Sequence, residues 1–469
     1  MTGTPSLDTA AGAAVKNRLL WAAILASFVS FLDGSIVNIA LPAIARDIGG
    51  GIVLQQWVVS GYLLTLSAFI LTAGAVSDAF GRLKVLRIAI IAFAATSLLC
   101  AVAPTAAILV VARLLQGVAG ALLVPGSLSL IIATFEGPEQ SRAIGRWTSW
   151  TSVSFLAGPI VGGLLVDAVG WRSVFVLSVL PAAGSLLLLG RMRDAGRDAP
   201  RARIDVPSAT LAALGLGALV TGLIEVGAHS RSGNTATLSL PVAIVLLVAG
   251  VVLLTAFVLR DRRTAHPLVP ASLFRARNFR WGNGATLAIY AGLSLSSLVP
   301  TLFLQQVVGL PATVAALVGL PSTVLMILLA GRFGALAGRY GPRLFMTVGP
   351  LTAAIGIGLM ALVREPAGAL WLIVPGIVIA GLGIAATVAP LTAAVLGAVP
   401  PEQSGIGSAV NNAVARVAGL VATACVGWIV GGAITVPGFD RASVVTAFLL
   451  AAGGVISFIG IRNPARADA

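Results

Sequence analysis

This sequence predicts an all-α membrane protein of 14 transmembrane helices arranged 6 + 2 + 6, and three observations carry that expectation. Of its 469 residues 58% are hydrophobic and 10% charged, against roughly 25% charged in an ordinary soluble domain. The apolar residues run in long blocks rather than alternating, which suits helices and not a transmembrane barrel. The basic residues gather in short clusters between those blocks, the pattern that orients membrane helices. A soluble fold cannot cover so much apolar surface, and a disordered chain would be far more polar.

A spanning helix needs about 20 mostly apolar residues. Fourteen blocks meet this, near 19–43, 54–77, 84–103, 106–134, 143–167, 172–190, 205–226, 238–259, 281–304, 312–337, 344–362, 369–397, 405–430 and 442–461. The first follows Lys16 and Arg18; its length, and the spans behind it, mark it as a retained helix rather than a signal peptide. With a cytoplasmic N-terminus, 23 of the 30 Lys+Arg fall in inside segments. Five of them lie in 191–203 and six in 260–280, and Arg231 is among the five on outside loops. A count wrong by one span would scramble this division, and an even count places both termini in the cytoplasm. The net charge of +14 is therefore read as topogenic rather than as a nucleic-acid footprint.

The chain repeats itself. GAVSDAFGR at Gly74–Arg82 matches GALAGRYGP at Gly334–Pro342, and PEQS recurs at Pro138–Ser141 and Pro401–Ser404. Two matches at nearly one offset indicate duplicated six-span halves, an architecture of transporters. The expected division is a tail at 1–18, a six-helix bundle at 19–190, and two inserted helices with basic flanks at 191–280. A second bundle at 281–461 and a tail at 462–469 complete it.

Four segments carry chemistry. Leu32-Asp33-Gly34-Ser35-Ile36-Val37-Asn38 puts an acid deep in span 1. A carboxylate there is costly unless protonated or paired. Such a group changes its proton occupancy when its surroundings turn from dry to wet, which suits a proton coupler; a structural ion pair is the other reading. Arg113-Leu114-Leu115-Gln116-Gly117 lies in span 4. At about 1.5 Å per residue, Asp33 lies about 15 Å and Arg113 about 10 Å below the outer ends of their spans, so the two can pair. Gly74, Asp78, Gly81 and Arg82 form a turn between spans 2 and 3, where Asp78 can latch onto a helix N-terminus; a topogenic turn is the plain alternative. Gly145, Ser154, Gly158, Pro159, Gly162 and Gly163 line span 5 with small residues that let backbones touch.

These segments resemble the signatures of the major facilitator superfamily, and more narrowly its fourteen-span drug:proton antiporters, the DHA2 family. Ser35 stands where that pattern has Thr, Ala79 where the loop motif has Arg, and Ser154 where the span-5 motif has its middle Gly. The resemblance implies proton-coupled efflux of small amphipathic compounds, multidrug or antibiotic export, by alternating access. It implies Asp33 and Arg113 as coupling residues, and the Gly158-Pro159 signature as a mark of export. Packing alone is the competing reading of that signature. Glu225, near the outer end of span 7, is a further proton-coupling candidate or an interfacial side chain. Arg416 is a substrate contact or a static ion pair. Asn38, Trp57, Tyr62, Gln116, Tyr290, Gln305 and Asn411 are candidates for lining a cavity.

Two cysteines and two histidines, including His266, give no ligand cluster, so no metal and no cofactor is expected. No GxxxxGK[ST] loop is present. The expected partners are a small-molecule substrate, protons and membrane lipid, with no nucleic acid. The expected protein is no enzyme but a multi-pass monomer of the inner or plasma membrane. Two rivals stand beside export: a metabolite uptake symporter on the same fold, and a transporter of lipid or envelope precursors.

Overall fold

The computed structural model describes residues 7–190, 205–229, 236–264, 267–400 and 403–463, with the side chains of 7–13, 71, 74, 75, 78 and 404 excepted. The arginines of 191–203, Arg231, His266, the Pro401-Glu402 start of the second PEQS copy and residues 464–469 lie outside the described residues.

The first six helices are α1 (Leu7–Ile48), α2 (Gly51–Phe80), α3 (Arg82–Ala101), α4 (Ala106–Thr134), α5 (Gly137–Ala168) and α6 (Arg172–Leu189). Then come α7 (Val206–His229) and α8 (Leu240–Asp261). The last set is α9 (Arg277–Gln306), α10 (Ala312–Tyr340), α11 (Pro342–Met360), α12 (Leu370–Leu396), α13 (Ser404–Ala424), α14 (Val426–Val430) and α15 (Val436–Gly460).

Among the described residues, 13 helices are long and apolar enough to cross a membrane. The remaining crossing, thirteenth in chain order, is α13 followed by α14. It carries Asn411, Asn412 and Arg416 and is interrupted at Cys425, so it is too polar and too divided to pass on length and hydropathy. Several helices outrun their apolar blocks: α1 starts at Leu7 rather than 19 and α5 at Gly137 rather than 143, because backbone hydrogen bonding continues past the lipid boundary.

The packing follows one plan twice. Helix α1 packs on α5 and α6, α2 on α4, and α3 on α4 and α6; in the same way α9 packs on α13 and α15, α10 on α12, and α11 on α12 and α15. The two sets meet crosswise, α5 on α10 and α2 on α13. Each copy of the repeated turn places a glycine at positive φ between two helices, Gly81 at 93° and Gly341 at 86°. A side chain is disfavoured at those angles. Helices α7 and α8 pack on each other through Gly215, Gly222 and Gly250, where a Cβ would meet the backbone of Leu254, Leu247 and Leu219. Helix α7 also touches α2, α13 and α14, while α8 turns Val245 and Val252 outward.

One end of the bundle, bearing the α1–α2 turn, is sealed. Gln56 Nε2 donates to the carbonyls of Thr423 (3.1 Å) and Ala424 (2.7 Å), carbonyls exposed by the break at Cys425. Gln305 Nε2 donates to Ile39 O at 3.1 Å. Asp167, at the end of α5, accepts from Ala312 N (3.0 Å), Thr313 N (2.8 Å) and Thr313 Oγ1 (2.7 Å), and so caps α10. Among the described residues, these are the side-chain hydrogen bonds that join α1–α6 to α9–α15. Towards the opposite end, Arg146, Thr148 and Ser149 of α5 are exposed, and a Cβ on Gly145 would meet nothing.

Candidate functional site

The deepest charges of the first set form one closed network. Arg113 and Gln116 are three residues apart on α4 and so share a face; both point at Asp33 on α1. Arg113 Nη1 lies 2.6 Å from Asp33 Oδ2. Gln116 Nε2 donates to Asp33 Oδ1 at 3.0 Å and to Ser97 Oγ at 2.8 Å. Arg113 Nη1 also donates to Gln116 Oε1 at 2.6 Å, and its Nε to Val58 O at 2.8 Å. Arginine has only donors, so the amide oxygen of Gln116 must face Arg113 and its NH₂ must face the carboxylate. The guanidinium sits 4.5 Å from the Tyr62 ring and 5.9 Å from that of Phe175. Asp33, Arg113 and Gln116 are each 1% exposed or less.

Close helix contact brings the network together. A Cβ on Gly117 would overlap Thr65 Oγ1 and Tyr62 O, and Thr65 Oγ1 donates to Leu114 O at 2.7 Å. Gly117 therefore lets α4 touch α2, which sets Arg113 beside the Val58 carbonyl. On α1's other side, Ser35 Oγ contacts Leu32 O (2.9 Å) and Ser154 O (3.2 Å). A Cβ on Gly158 would overlap Ser35 Oγ, and one on Gly162 would overlap Ile36. A Cβ on Gly163 would come within 2.7 Å of the Thr313 backbone on α10. The small residues of α5 thus allow both the α1 contact and the contact between the two sets.

Two adjoining cavities, of about 250 and 540 Å³, lie between the sets and share Asn38, Phe155, Tyr290, Leu293 and Ser297. The smaller reaches Tyr62, Arg113 and Arg416; the larger reaches Pro159 and the apolar faces of α10 and α12. Among the expected cavity residues, Asn38, Tyr62, Tyr290 and Arg416 line this space. Gln116 instead belongs to the Asp33 network. Trp57 packs into the core beside Gln56, away from both cavities. Gln305 ties α9 to α1. Asn411 bonds Asn283 Oδ1 (3.1 Å) and Thr286 Oγ1 (2.9 Å), joining α13 to α9.

Glu225 lies on α7, which packs on α8, α2, α14 and α13. Its carboxylate accepts from Thr237 N (2.9 Å), Thr237 Oγ1 (2.6 Å) and Leu238 N (3.0 Å), tying the α7–α8 connection to α7. Gly74 and Asp78 lie in the last turns of α2, but the side chain that would form the Asp78 latch is outside the described residues. Gly81 and Arg82 form the junction with α3. Sequence reasoning missed Gln56, Ser97 and Asp167. A polar residue at a helix end has no distinguishing signal until its partner helix is in place.

Known proteins share this plan. The profile of the family described as Major Facilitator Superfamily matches residues 23–423. The chain belongs to the major facilitator superfamily. Its members move solutes across membranes, so this chain is a transporter and not an enzyme. Multidrug resistance protein Stp of Mycobacterium tuberculosis is 32% identical over 86% of this chain and 74% of its own. The tetracenomycin C resistance and export protein of Streptomyces glaucescens is 32% identical over 87% and 75%. Puromycin resistance protein pur8 of Streptomyces alboniger is 32% identical over 91% and 85%. Among solved structures, the D-xylose-proton symporter aligns with a TM-score of 0.68 at 13% identity, covering 95% of this chain and 98% of that one; at that identity the likeness is one of fold.

Proposed function

We propose that this protein exports small amphipathic compounds, antibiotics among them, in exchange for protons. The observation that carries the reading is the buried Asp33–Arg113–Gln116 network, which borders the cavity between the two sets at Arg113. The resistance and export names of the relatives support the direction. In this proposal the bundles are 19–190 and 281–461, with 191–280 inserted beside them. Both termini lie in the cytoplasm, the membrane is the cell's inner or plasma membrane, and the protein acts as a monomer in lipid.

The cavity then faces the cytoplasm, with Gln56, Gln305 and Asp167 closing the outer end. Substrate enters while Asp33 is ionised and held by Arg113 and Gln116. Rocking of the bundles breaks the outer contacts and opens the cavity outward. Substrate leaves, a proton reaches Asp33 and cancels its charge, and Arg113 loses its counter-ion. The protonated form returns inward, where Asp33 releases the proton and pairs with Arg113 again. Only a difference in affinity between the two states drives such a cycle. In this cycle Glu225 anchors the α7–α8 connection, a role that its three hydrogen bonds with Thr237 and Leu238 support.

Proteoliposomes with an imposed pH gradient test this. Wild type should exchange protons for dye or antibiotic, and Asp33→Asn should do neither against a gradient. Normal concentrative export by Asp33→Asn would make the network structural and overturn the proposed coupling.

A further inference from the structure

Among the described residues, the buried carboxylates and Arg113 all have polar partners. Asp33 and Arg113 pair with each other, Glu225 accepts three hydrogen bonds, and Asp261 accepts from Leu268 N (2.8 Å) and Val269 N (3.0 Å). Arg416 of α13 is half-buried, and among the described residues no carboxylate pairs with it. Its guanidinium stands 6.0 Å from the Phe31 ring. An ionisable side chain inside the membrane that faces a cavity without a counter-ion marks a site that a ligand can complete.

The surroundings say what completes it. Among the described residues, the charged side chains that line the two cavities are Arg113 and Arg416. Arg113 is already neutralised by Asp33, which is itself fully buried and lines neither cavity. The cavity therefore presents one uncompensated positive charge. Around it stand hydroxyls and an amide, from Ser294, Ser297, Tyr290 and Asn38. Phe31 and Phe155, with ring centroids 5.6 Å apart, form an aromatic wall. The larger cavity beside it is faced by Leu304, Met326, Ile357 and Ile377.

We infer that Arg416 is the recognition site for an acidic group, and that the preferred cargo is an amphipathic anion. Its carboxylate or phenolate pairs with Arg416, and its apolar, aromatic body lies in the larger cavity. The planar guanidinium offers two parallel donors to such a group. A lipophilic cation of equal size meets repulsion and finds no free carboxylate among the described residues that line the cavities. This inference rests on the export reading for its direction, but the binding preference stands or falls separately.

The test is equilibrium binding of two xanthene dyes, anionic fluorescein and cationic rhodamine 123, to the purified full chain by fluorescence anisotropy. Wild type should bind fluorescein more tightly. Arg416→Gln should weaken fluorescein by about tenfold to a hundredfold, the range for losing a charge-assisted hydrogen-bonded pair, and change rhodamine 123 by less than about threefold on the same scale. Arg416→Lys should keep the preference for the anion with part of its strength, which a purely structural arginine would not require. Tighter binding of rhodamine 123 by wild type, or equal losses of both dyes in Arg416→Gln, would overturn the assignment. Should Arg416→Gln fail to fold, the wild-type preference and the lysine variant decide. A preference for fluorescein without proton-linked transport in liposomes would sink the exporter reading and leave this one standing.

Discussion

Two arginines sit inside this bundle, one in each set of six crossings, and they are treated in opposite ways. Arg113 is sealed among α1, α2, α3, α4 and α6, with Asp33, Gln116 and Val58 O taking its donors. Arg416 stands in the open cavity without an acidic partner among the described residues. The backbone plan of the two sets is the same, yet the chemistry is not duplicated. A charge paired with a buried acid can store a proton-dependent state. A charge left open to a cavity can read a ligand but adds little to stability. In the proposed cycle the duplicated plan supplies the rocking frame, and single residues divide the work within it.

The largest expected effect breaks the sealed region. Removing one member of a buried pair costs about 3–5 kcal/mol, because the other charge is left alone. Arg113→Ala should therefore lower the unfolding midpoint strongly in detergent, whereas Arg416→Ala should change stability by about 0.5 kcal/mol or less. Equal destabilisation by the two would erase the contrast. Next comes the contact that holds the sealed end. Gly163→Val forces a side chain into the Thr313 backbone, and overpacking costs about 1–3 kcal/mol. The bundle should shift towards opening at that end, lowering maleimide labelling of a cysteine placed at Ser149 in a background lacking Cys100 and Cys425. Unchanged labelling would mean the α5–α10 contact does not set the state. Glu225→Gln removes charge from three hydrogen bonds, each about 1 kcal/mol or somewhat more, and should lower stability while leaving the proton-to-substrate ratio intact. A changed ratio would return Glu225 to the coupling path. The smallest effect belongs to Asp167→Asn. Loss of a carboxylate from a helix N-terminus costs about 0.3–1 kcal/mol, so the Ser149 label should fall slightly, in the direction of Gly163→Val.

The pairing of Asp33 with Arg113 was legible because depth along a helix follows from residue counting, and two opposite charges at one depth have few other partners. Small residues in α5 were legible as a contact face, but not which helix each one touches: Gly158 and Gly162 meet α1, while Gly163 meets α10. The cavity candidates divided for a similar reason. Asn38, Tyr62, Tyr290 and Arg416 reach the cavities, while Gln305 and Asn411 spend their amides on neighbouring helices. The thirteenth crossing shows the reverse. It was legible from span counting and loop charge, although its polarity hides it from a test of hydropathy alone.

The sequence by itself determined that the chain is a helical membrane bundle, how many times it crosses, that it repeats and which deep charges can meet. These follow from hydropathy, periodicity and charge distribution, which are properties of the chain in lipid whatever its partners. Only the tertiary structure decided which end is sealed, which polar side chains serve packing rather than the cavity, and which arginine is left open. Those depend on the neighbour a side chain meets across a helix interface, and a polar group in a membrane takes whichever partner the packing brings within reach.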